Sequence, residues 1–313
     1  MFDRNSNFRS SYDFFKGIKD SFSCVPVMTL TATLSQTQVQ SLCADYLKNP
    51  VLIKGSINHS NIKLNIKSCV TSKKKKSSRS AVKENTKEDI WSECATDIKN
   101  ISGDEYAIVY MDFRSDVELM TSSLKLLLGE ENVRPYYRKG MTHNVKKKTD
   151  SVFIGKEFQV LVATESYEVG THSAHVDNIF RVGCMRNLSV MIQEFGRAGR
   201  SGNIAYGFLL INETKDDQRL AFWTKNCSKS EEEQIKAQLI QSWRWVYSIY
   251  CGRCMREEII SKFGEGQLEL QCVDECCSSC DIKDKRDFNA KEAIRLLLQA
   301  VLDLGLIQAY KDK

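Results

Sequence analysis

The chain has 313 residues, of which 42% are hydrophobic, and a formal net charge of +5. This hydrophobic fraction is ordinary for globular proteins, and the length allows two domains or one domain with appendages. The sequence has no run of eighteen apolar residues, and its polar start lacks a signal-peptide core, so we expect an intracellular protein without a membrane span. The mild positive charge is compatible with a local nucleic-acid-binding face but does not establish one.

Predicted elements are sparse in the first 105 residues. Residues 27–30 form an apolar run typical of a strand, and a helix is predicted near residues 35–47, before Pro50. Residues 56–105 show little periodicity. The lysine-rich run at 73–79 predicts a solvated loop, with a nuclear-import patch as the alternative.

From residue 106 onward, apolar runs alternate with helical patterns. Runs typical of buried parallel strands occur at residues 107–111, 160–163, 179–182 and 208–211. Helices are predicted at residues 116–128, 143–154 and 188–197. The alternation predicts an α/β domain with a parallel sheet, whose ligands bind at the carboxyl ends of the strands. After residue 231 the chain turns helical, and an amphipathic helix is predicted at residues 290–304.

The segment from Gln193 to Gly202 reads QEFGRAGRSG and is the most informative in the chain. If it were helical, Gln193, Arg197 and Arg200 would share one face, because residues four and seven apart lie on the same side of a helix. Two guanidinium groups and an amide on one face can bind a triphosphate. For the two arginines alone, a solvated turn is the alternative.

Cysteines are crowded near the end of the chain. Six of the twelve lie between residues 251 and 280. In an intracellular chain, such crowding favours metal binding over disulfides, and buried free thiols are the alternative. Cys251 is predicted to be a core residue of the preceding helix.

The segment at 193–202 resembles the last motif of superfamily-two helicases, and in particular the QExGRAGRDG form of the RecQ DNA helicases. The resemblance extends over nearly the whole chain. It includes an LTAT motif at 30–33, an RPNI-like stretch at 61–62, an IIYCxSRxxVE-like motif at 108–118 and a YHAG-like segment at 137–140. The segment after residue 163 matches the AFGMGIDKPDVR motif of the family. There the glycine is kept, but the aspartate and lysine are replaced.

The resemblance implies roles for individual residues. The catalytic residues would be Gln193, Arg197 and Arg200, and ATP would be bound by Gly170 and the two arginines. Contacts to nucleic acid would come from Thr31, Thr33, Tyr110, Arg114, Arg138 and Lys139.

The resemblance also covers the cysteines, because Cys254 opens a segment similar to the CRRxxLLxxFGE helix of RecQ zinc subdomains. It implies a structural Zn²⁺ site whose predicted ligands are Cys254, Cys272, Cys277 and Cys280, with Cys276 as a substitute for Cys277. Four thiolates at about 2.3 Å close a tetrahedral zinc site.

On this basis the fold class is α/β, a RecA-like helicase C-terminal lobe with a small helical zinc-binding subdomain. Residues 1–55 would be a remnant of the first lobe, 56–225 the second lobe, 226–287 the zinc subdomain, and 288–313 the start of a winged-helix domain. No G-x-x-x-x-G-K-S/T and no D-E-x-H occurs in the sequence. Because those motifs hold the phosphates and Mg²⁺, we expect no ATP hydrolysis by the chain alone, whether Met1 is a true start or a truncated gene model.

The function expected from the resemblance is that of an ATP-dependent 3′-to-5′ DNA helicase in repair and recombination. Its partners would be single-stranded DNA and duplex junctions, with ATP and Mg²⁺ bound only in an intact core, and no membrane. Its compartment would be the nucleus, with the cytoplasm as the alternative. A non-catalytic DNA-binding or regulatory module is the second hypothesis. The second lobe of an RNA helicase is a third, which the cysteine cluster disfavours.

Overall fold

The structure is a computed structural model that describes residue 21 and residues 24–31, 33–68, 87–168, 175–211, 216–225, 227–263 and 276–281. The basic run at 73–79 and the predicted helix at 290–304 lie outside these residues. The strands are β1 (Ile62–Ser68), β2 (Ala107–Tyr110), β3 (Val133–Tyr136), β4 (Val160–Ala163), β5 (Asn178–Val182) and β6 (Ala205–Ile211). The α-helices are α1 (Gln36–Tyr46), α2 (Lys87–Ser102), α3 (Arg114–Leu128), α4 (His143–Ile154), α5 (Leu188–Phe195), α6 (Asp216–Trp223), α7 (Lys229–Tyr250), α8 (Met255–Lys262) and α9 (Ser278–Asp281).

All six strands form one parallel sheet in the order β1-β6-β5-β2-β4-β3. Strands β2, β4 and β5 are buried along their whole length. Strands β2 and β4 are largely apolar because both faces of the sheet are covered, so side chains on either face are buried. The predicted α/β domain with a parallel sheet is confirmed.

Two hydrophobic cores lie on the two faces of this sheet. Along β2, Ile108 and Tyr110 belong to one core, whereas Ala107 and Val109 belong to the other, as the two-residue period of a strand requires. The first core continues into α7 and α8 through Trp243 and neighbouring apolar side chains. The C-terminal helices therefore pack on the same body as the sheet.

Capping residues set the starts of several helices. Ser35 forms a capping box with Gln38 at the start of α1, and Ser228 forms one with Glu231 at the start of α7. The predicted helix near 35–47 and the predicted helix at 143–154 are confirmed. Among the described residues, no helix has the length and apolar character that a membrane crossing requires.

Two predictions about the first third of the chain were wrong. Residues 27–30 form no strand, and Met28 and Leu30 are 80% and 84% exposed, because no strand among the described residues lies alongside to pair with them. The supposedly aperiodic stretch 56–105 contains β1 and α2. On β1, buried Ile62 and Leu64 alternate with the polar residues Lys63 and Asn65, a period of two that marks a strand covered on one face.

Strand β3 was missed, and the predicted helix at 188–197 is too long. Strand β3 is short and contains Pro135, which is tolerated because β3 is the last strand of the sheet. Helix α5 ends at Phe195, where Gly196 provides the C-cap. Residues 197 and 200 therefore leave the helix and enter a turn.

Candidate functional site

The arginine segment is a helix end followed by a tight turn. The expectation that Gln193, Arg197 and Arg200 share a helix face was wrong, because the helix stops before the arginines. Gly199 makes the turn possible, since its φ of +62° lies in the left-handed region and a side chain there would collide with the Asn61 amide. The Gly199 N–H donates to the Val176 carbonyl at 3.0 Å, which fixes the turn beside β5.

The two arginines lie near each other at this turn. Arg197 is only 7% exposed, and its guanidinium carbon lies 5.7 Å from the centre of the Tyr167 ring. Arg200 is exposed, and its Nε–H donates to the Gly196 carbonyl at 3.1 Å. Partial burial and the charge of Arg197 lower the pKa of Arg200. Two close like charges make this a surface that an anion would stabilise.

Gln193 joins the arginine segment to the LTAT-like segment. Its Nε2 donates to the Thr33 hydroxyl at 2.6 Å, and Thr33 is buried. Two motifs separated by 160 residues therefore meet directly. Thr31, the other predicted hydroxyl, is exposed. Gly170 lies outside the described residues.

A buried charge cluster lies behind the arginine segment, and sequence reasoning missed it. Arg181 of β5 is fully buried and forms ion pairs with Asp112 and, at 2.9 Å, with Glu194. Burial alone would lower the pKa of Arg181, but the two carboxylates outweigh it and raise that pKa. The signal was an arginine inside an otherwise apolar strand, which is rarely buried unless it is paired. Through Glu194, the cluster fixes α5 against the sheet.

The predicted DNA-contacting residues are partly assembled at the ends of β2 and β3. Arg114 donates from Nε to Glu118 at 2.8 Å and lies over the Tyr137 ring at 4.7 Å. The Tyr137 hydroxyl donates to the same carboxylate at 2.9 Å, and hydrogen bonds from Arg114 and Tyr137 lower the pKa of Glu118. Arg138 and Lys139 are exposed nearby.

Tyr110 does not belong to this surface. Its side chain is fully buried because β2 lies between β5 and β4 in the middle of the sheet. It therefore offers DNA no contact in this structure, contrary to the role that the resemblance implied. Its neighbour beyond the strand end, Arg114, is the residue of this motif that reaches solvent.

Four cysteines converge at the C-terminal end of the described chain. The sulfur atoms of Cys254, Cys276, Cys277 and Cys280 all lie within 4.8 Å of one another. The Cys254–Cys276, Cys254–Cys277 and Cys277–Cys280 sulfur distances are 3.7, 3.9 and 3.5 Å. Tetrahedral sulfurs at about 2.3 Å from zinc are separated by about 3.8 Å, so the cluster fits a structural zinc site.

This set differs from the predicted one in membership. Cys276 and Cys277 both join the group, whereas the sequence offered them as alternatives. Cys272 lies outside the described residues. Cys251 is exposed at the end of α7, so its predicted core position was wrong; it caps the helix instead of lying on its buried face.

The cysteine cluster packs against β1. The Leu64 N–H donates to the Cys276 carbonyl at 3.4 Å, and the Ile66 N–H donates to the Ser278 hydroxyl at 3.2 Å. Leu64 also forms an isolated parallel bridge with Cys277. The cluster is thus connected to the outermost strand of the sheet.

Comparison with known proteins agrees with this geometry. Residues 86–202 match the family model of the helicase conserved C-terminal domain. The chain is 26% identical over 304 residues to the ATP-dependent helicase SGS1 of Saccharomyces cerevisiae, covering 93% of this chain and 19% of that protein. It is 25% identical over 278 residues to the ATP-dependent DNA helicase RecQ of Pasteurella multocida, covering 88% of this chain and 39% of that protein.

Among solved structures, the Mycobacterium smegmatis helicase Lhr bound to ssDNA and AMP-PNP matches with a TM-score of 0.43 and 16% identity, covering 60% of this chain and 22% of that one. The region that matches the helicase C-terminal domain, residues 86–202, includes four strands of the parallel sheet and the turn that carries Arg197 and Arg200. SGS1 and the Pasteurella multocida RecQ are both RecQ-type helicases, and the similarity to them extends over most of the length of this chain. It spans only about a fifth to two fifths of the length of the two relatives named here.

Proposed function

We propose that this chain provides the second lobe and the zinc subdomain of an ATP-dependent DNA helicase that unwinds DNA in the 3′-to-5′ sense. The observation that carries the proposal is the pairing of Arg197 and Arg200 on the turn after α5. We assign residues 1–55 to the end of a first lobe, 56–225 to the second lobe, 226–287 to the zinc subdomain and 288–313 to the start of a winged helix. Repair and recombination in the nucleus are the setting that the relatives suggest.

The arginine pair suits the chemistry of ATP hydrolysis. Negative charge is spread over the γ-phosphate oxygens in the transition state, and a guanidinium fork can donate two hydrogen bonds to such oxygens. An arginine in this role raises the rate by roughly 10³-fold or more. Mg²⁺ bound with ATP in a complete core would neutralise phosphate charge. The residues of this chain would add Arg197 and Arg200 from the opposite wall of the cleft.

The buried side of the segment supports a role in coupling. The hydrogen bond between Gln193 and Thr33 means that displacement of the 30–33 segment acts directly on α5. Because α5 is also anchored through Glu194 to Arg181, its motion would be shared with the sheet. A nucleotide-dependent change in the first lobe could thus reach the surface that carries Arg114.

Cations at the ends of β2 and β3 would hold the DNA backbone. Arg114, Arg138 and Lys139 are exposed at this surface, and phosphate contacts need cations without sequence-specific geometry. On binding DNA, the Arg114 guanidinium would donate to a phosphate in place of Glu118, or to the phosphate and Glu118 together. The salt dependence of binding measures how many such contacts form.

The cysteine cluster would hold one structural zinc ion. We propose Cys254, Cys276, Cys277 and Cys280 as the ligands, with all four coordination positions filled by thiolates and none open to substrate. Its role would be in folding, because the ligands come from separate parts of the chain: the N-cap of α8, the segment before α9, and α9 itself. Cys251→Ser should leave the zinc content unchanged.

The decisive experiment joins this chain to the first lobe of a close relative that carries both missing motifs. Arg200→Ala should lower the kcat for DNA-stimulated ATP hydrolysis far more than it raises the KM for ATP. Arg200→Lys should rescue poorly, since an ammonium lacks the planar fork. Arg134→Ala, at an exposed arginine on β3, is the matched control and should have little effect. Normal turnover with both Arg197 and Arg200 replaced by alanine contradicts the proposal.

The directional part of the proposal needs its own test. The joined core should unwind a duplex with a single-stranded 3′ tail and leave one with a 5′ tail paired. The 313-residue chain alone should show no ATP turnover above background, because no P-loop or acidic box occurs in its sequence. Turnover by the chain alone that disappears on Arg200→Ala would refute this expectation.

The exposed cations also support a second candidate function, a non-catalytic DNA-binding module. Arg138, Lys139, Lys147 and Lys148 are exposed and require no nucleotide to bind phosphate. Assays of the joined core distinguish the two candidate functions. Salt-sensitive DNA binding without any ATP hydrolysis would favour the non-catalytic module.

A further inference from the structure

The turn at residues 197–203, here called the arginine turn, is hydrogen-bonded to Asn61, which lies directly before β1. The Asn61 side-chain amide donates to the Gly199 carbonyl at 2.8 Å and to the Asn203 carbonyl at 2.9 Å. Its backbone carbonyl accepts from the Ala205 N–H at 2.9 Å. Both N–H groups of one amide therefore span the turn that carries Arg200. The left-handed Gly199 permits this close approach, because any side chain at that position would collide with the amide.

The segment that carries Asn61 is held in turn by Arg256. This arginine is buried, and its guanidinium donates to the Asn58 side chain at 2.7 Å, to the His59 carbonyl at 2.9 Å and to the Ile62 carbonyl at 2.5 Å. A further donation reaches the Cys276 carbonyl at 3.5 Å. One side chain thus fixes the backbone on both sides of Asn61 and touches the cysteine cluster.

We propose that Asn61 is a positioning residue for Arg197 and Arg200, and that Arg256 connects its position to the state of the cysteine cluster. The significance for catalysis rests on the proposed function of the two arginines, but the physical linkage does not. Arg256 lies two residues after Cys254 and donates to the carbonyl of Cys276, so it is joined to the cluster both along the chain and by a hydrogen bond. Metal held by these thiols would keep those points in place.

The Asn61 amide adds hydrogen bonds to a turn that has few backbone hydrogen bonds of its own. The backbone N–H groups of Gly199 and Gly202 donate to the carbonyls of Val176 and Gly199, at 3.0 and 2.9 Å. The Asn61 amide adds two more from a different part of the chain. Without it, the carbonyls of Gly199 and Asn203 lose their shared donor, and the turn can move while the sheet stays intact.

The first test uses Asn61→Asp in the 313-residue protein. Aspartate has the shape of asparagine but donates no hydrogen bond, and its charge opposes the two carbonyls. Backbone amides at 197–203 should exchange about fivefold to tenfold faster, as expected for a lost hydrogen bond. The NMR resonance of the Arg200 Nε–H, which donates to Gly196, should shift or broaden.

The matched control is Asn65→Asp, at an asparagine on β1 whose amide donates only to the nearby Lys63 carbonyl at 3.4 Å. It should change neither the exchange at 197–203 nor the Arg200 resonance. A merely structural role for Asn61 predicts a lower melting temperature with uniform effects. Unchanged exchange and an unchanged Arg200 signal in Asn61→Asp would overturn the positioning role.

The second test addresses Arg256. Arg256→Lys keeps the charge, but an ammonium cannot serve acceptors spread across the guanidinium fork, so exchange at 58–62 and at 197–203 should rise together. Arg253→Ala is the control, since Arg253 is exposed and forms an ion pair with Glu258 at 3.2 Å. Faster exchange at 58–62 with none at 197–203 would show that Arg256 does not act on the turn.

The link to the cluster is tested with zinc and a chelator. Removing the metal should speed exchange at 58–62 and 197–203 more than at 107–110, in the buried strand β2, and readdition of Zn²⁺ should reverse it. Equal changes everywhere, or none at 197–203, would refute the linkage. None of these measurements uses ATP, so an inactive joined core would reject the proposed function while leaving the linkage to be judged on its own data.

Discussion

Replacement of Arg181 by methionine should destabilise this protein more than any single change at its surface charges. The Arg181 side chain is 0% exposed, and its partners Asp112 and Glu194 are 2% and 0% exposed. Methionine fills most of the volume but removes the guanidinium that both buried carboxylates contact. Breaking a buried ion pair by removing one partner costs about 3–5 kcal/mol.

The assay is urea unfolding of the zinc-loaded protein. With a denaturant slope of at most about 3 kcal/mol per molar for a small domain, that loss moves the midpoint by at least about 1 M. Arg114→Met is the control, because Arg114 and Glu118 form an ion pair whose side chains are 52% and 45% exposed. Such pairs contribute about 1 kcal/mol or less.

A double variant sharpens the test. Arg181→Met combined with Glu194→Gln removes the guanidinium and one of the two carboxylate charges that it contacts, so the loss of stability should be smaller than the sum of the two single losses. The reasoning is refuted if Arg181→Met shifts the midpoint no further than Arg114→Met does. It is also refuted if the two single effects simply add.

Three further predictions concern metal, acid and salt. The purified chain should hold one zinc ion, and Cys254→Ser should release it and lower the melting temperature; under half an equivalent of zinc in a well-folded protein rejects the site. Burial lowers the pKa of His175 from its ordinary value of 6.5, so stability should be fully present above pH 6.5 and decline as pH falls below it. His175→Gln should remove that decline; an equally steep decline in the variant would contradict it. DNA binding should weaken linearly on a logarithmic salt scale, and replacing Arg138 and Lys139 with alanine should reduce the slope by about two if both contact phosphate; an unchanged slope excludes those contacts.

The sequence predicted the elements whose patterns are local. Strand β4 and helix α4 were located to the residue, because one is an uninterrupted apolar run and the other starts at a capping threonine. Helix α5 was extended too far because its apolar pattern continues past Gly196, whereas the chain leaves the helix there. Strand β1 was missed although its alternating isoleucine and leucine positions were visible in the sequence.

The site was predictable in its chemistry and not in its connections. The arginines, the cysteines and Thr33 were all identified from their motifs. The contacts that fix them join residues more than a hundred positions apart, such as Asn61 with Gly199 and Arg256 with His59. Nothing in the local sequence specifies those partners, since they depend on β1 lying beside β6 at the end of the sheet.

The position of the cysteine cluster affects whether this protein can associate with other molecules through its sheet edge. An open parallel sheet has two outer strands whose unpaired N–H and C=O groups can recruit strands from other molecules. On β3, Pro135 withholds one N–H from any such pairing. On β1, the N–H groups of Leu64 and Ile66 are already taken by Cys276 and Ser278. If zinc holds the cysteine cluster, its loss would expose these N–H groups of β1, and a zinc-depleted preparation should self-associate through added strands before it unfolds.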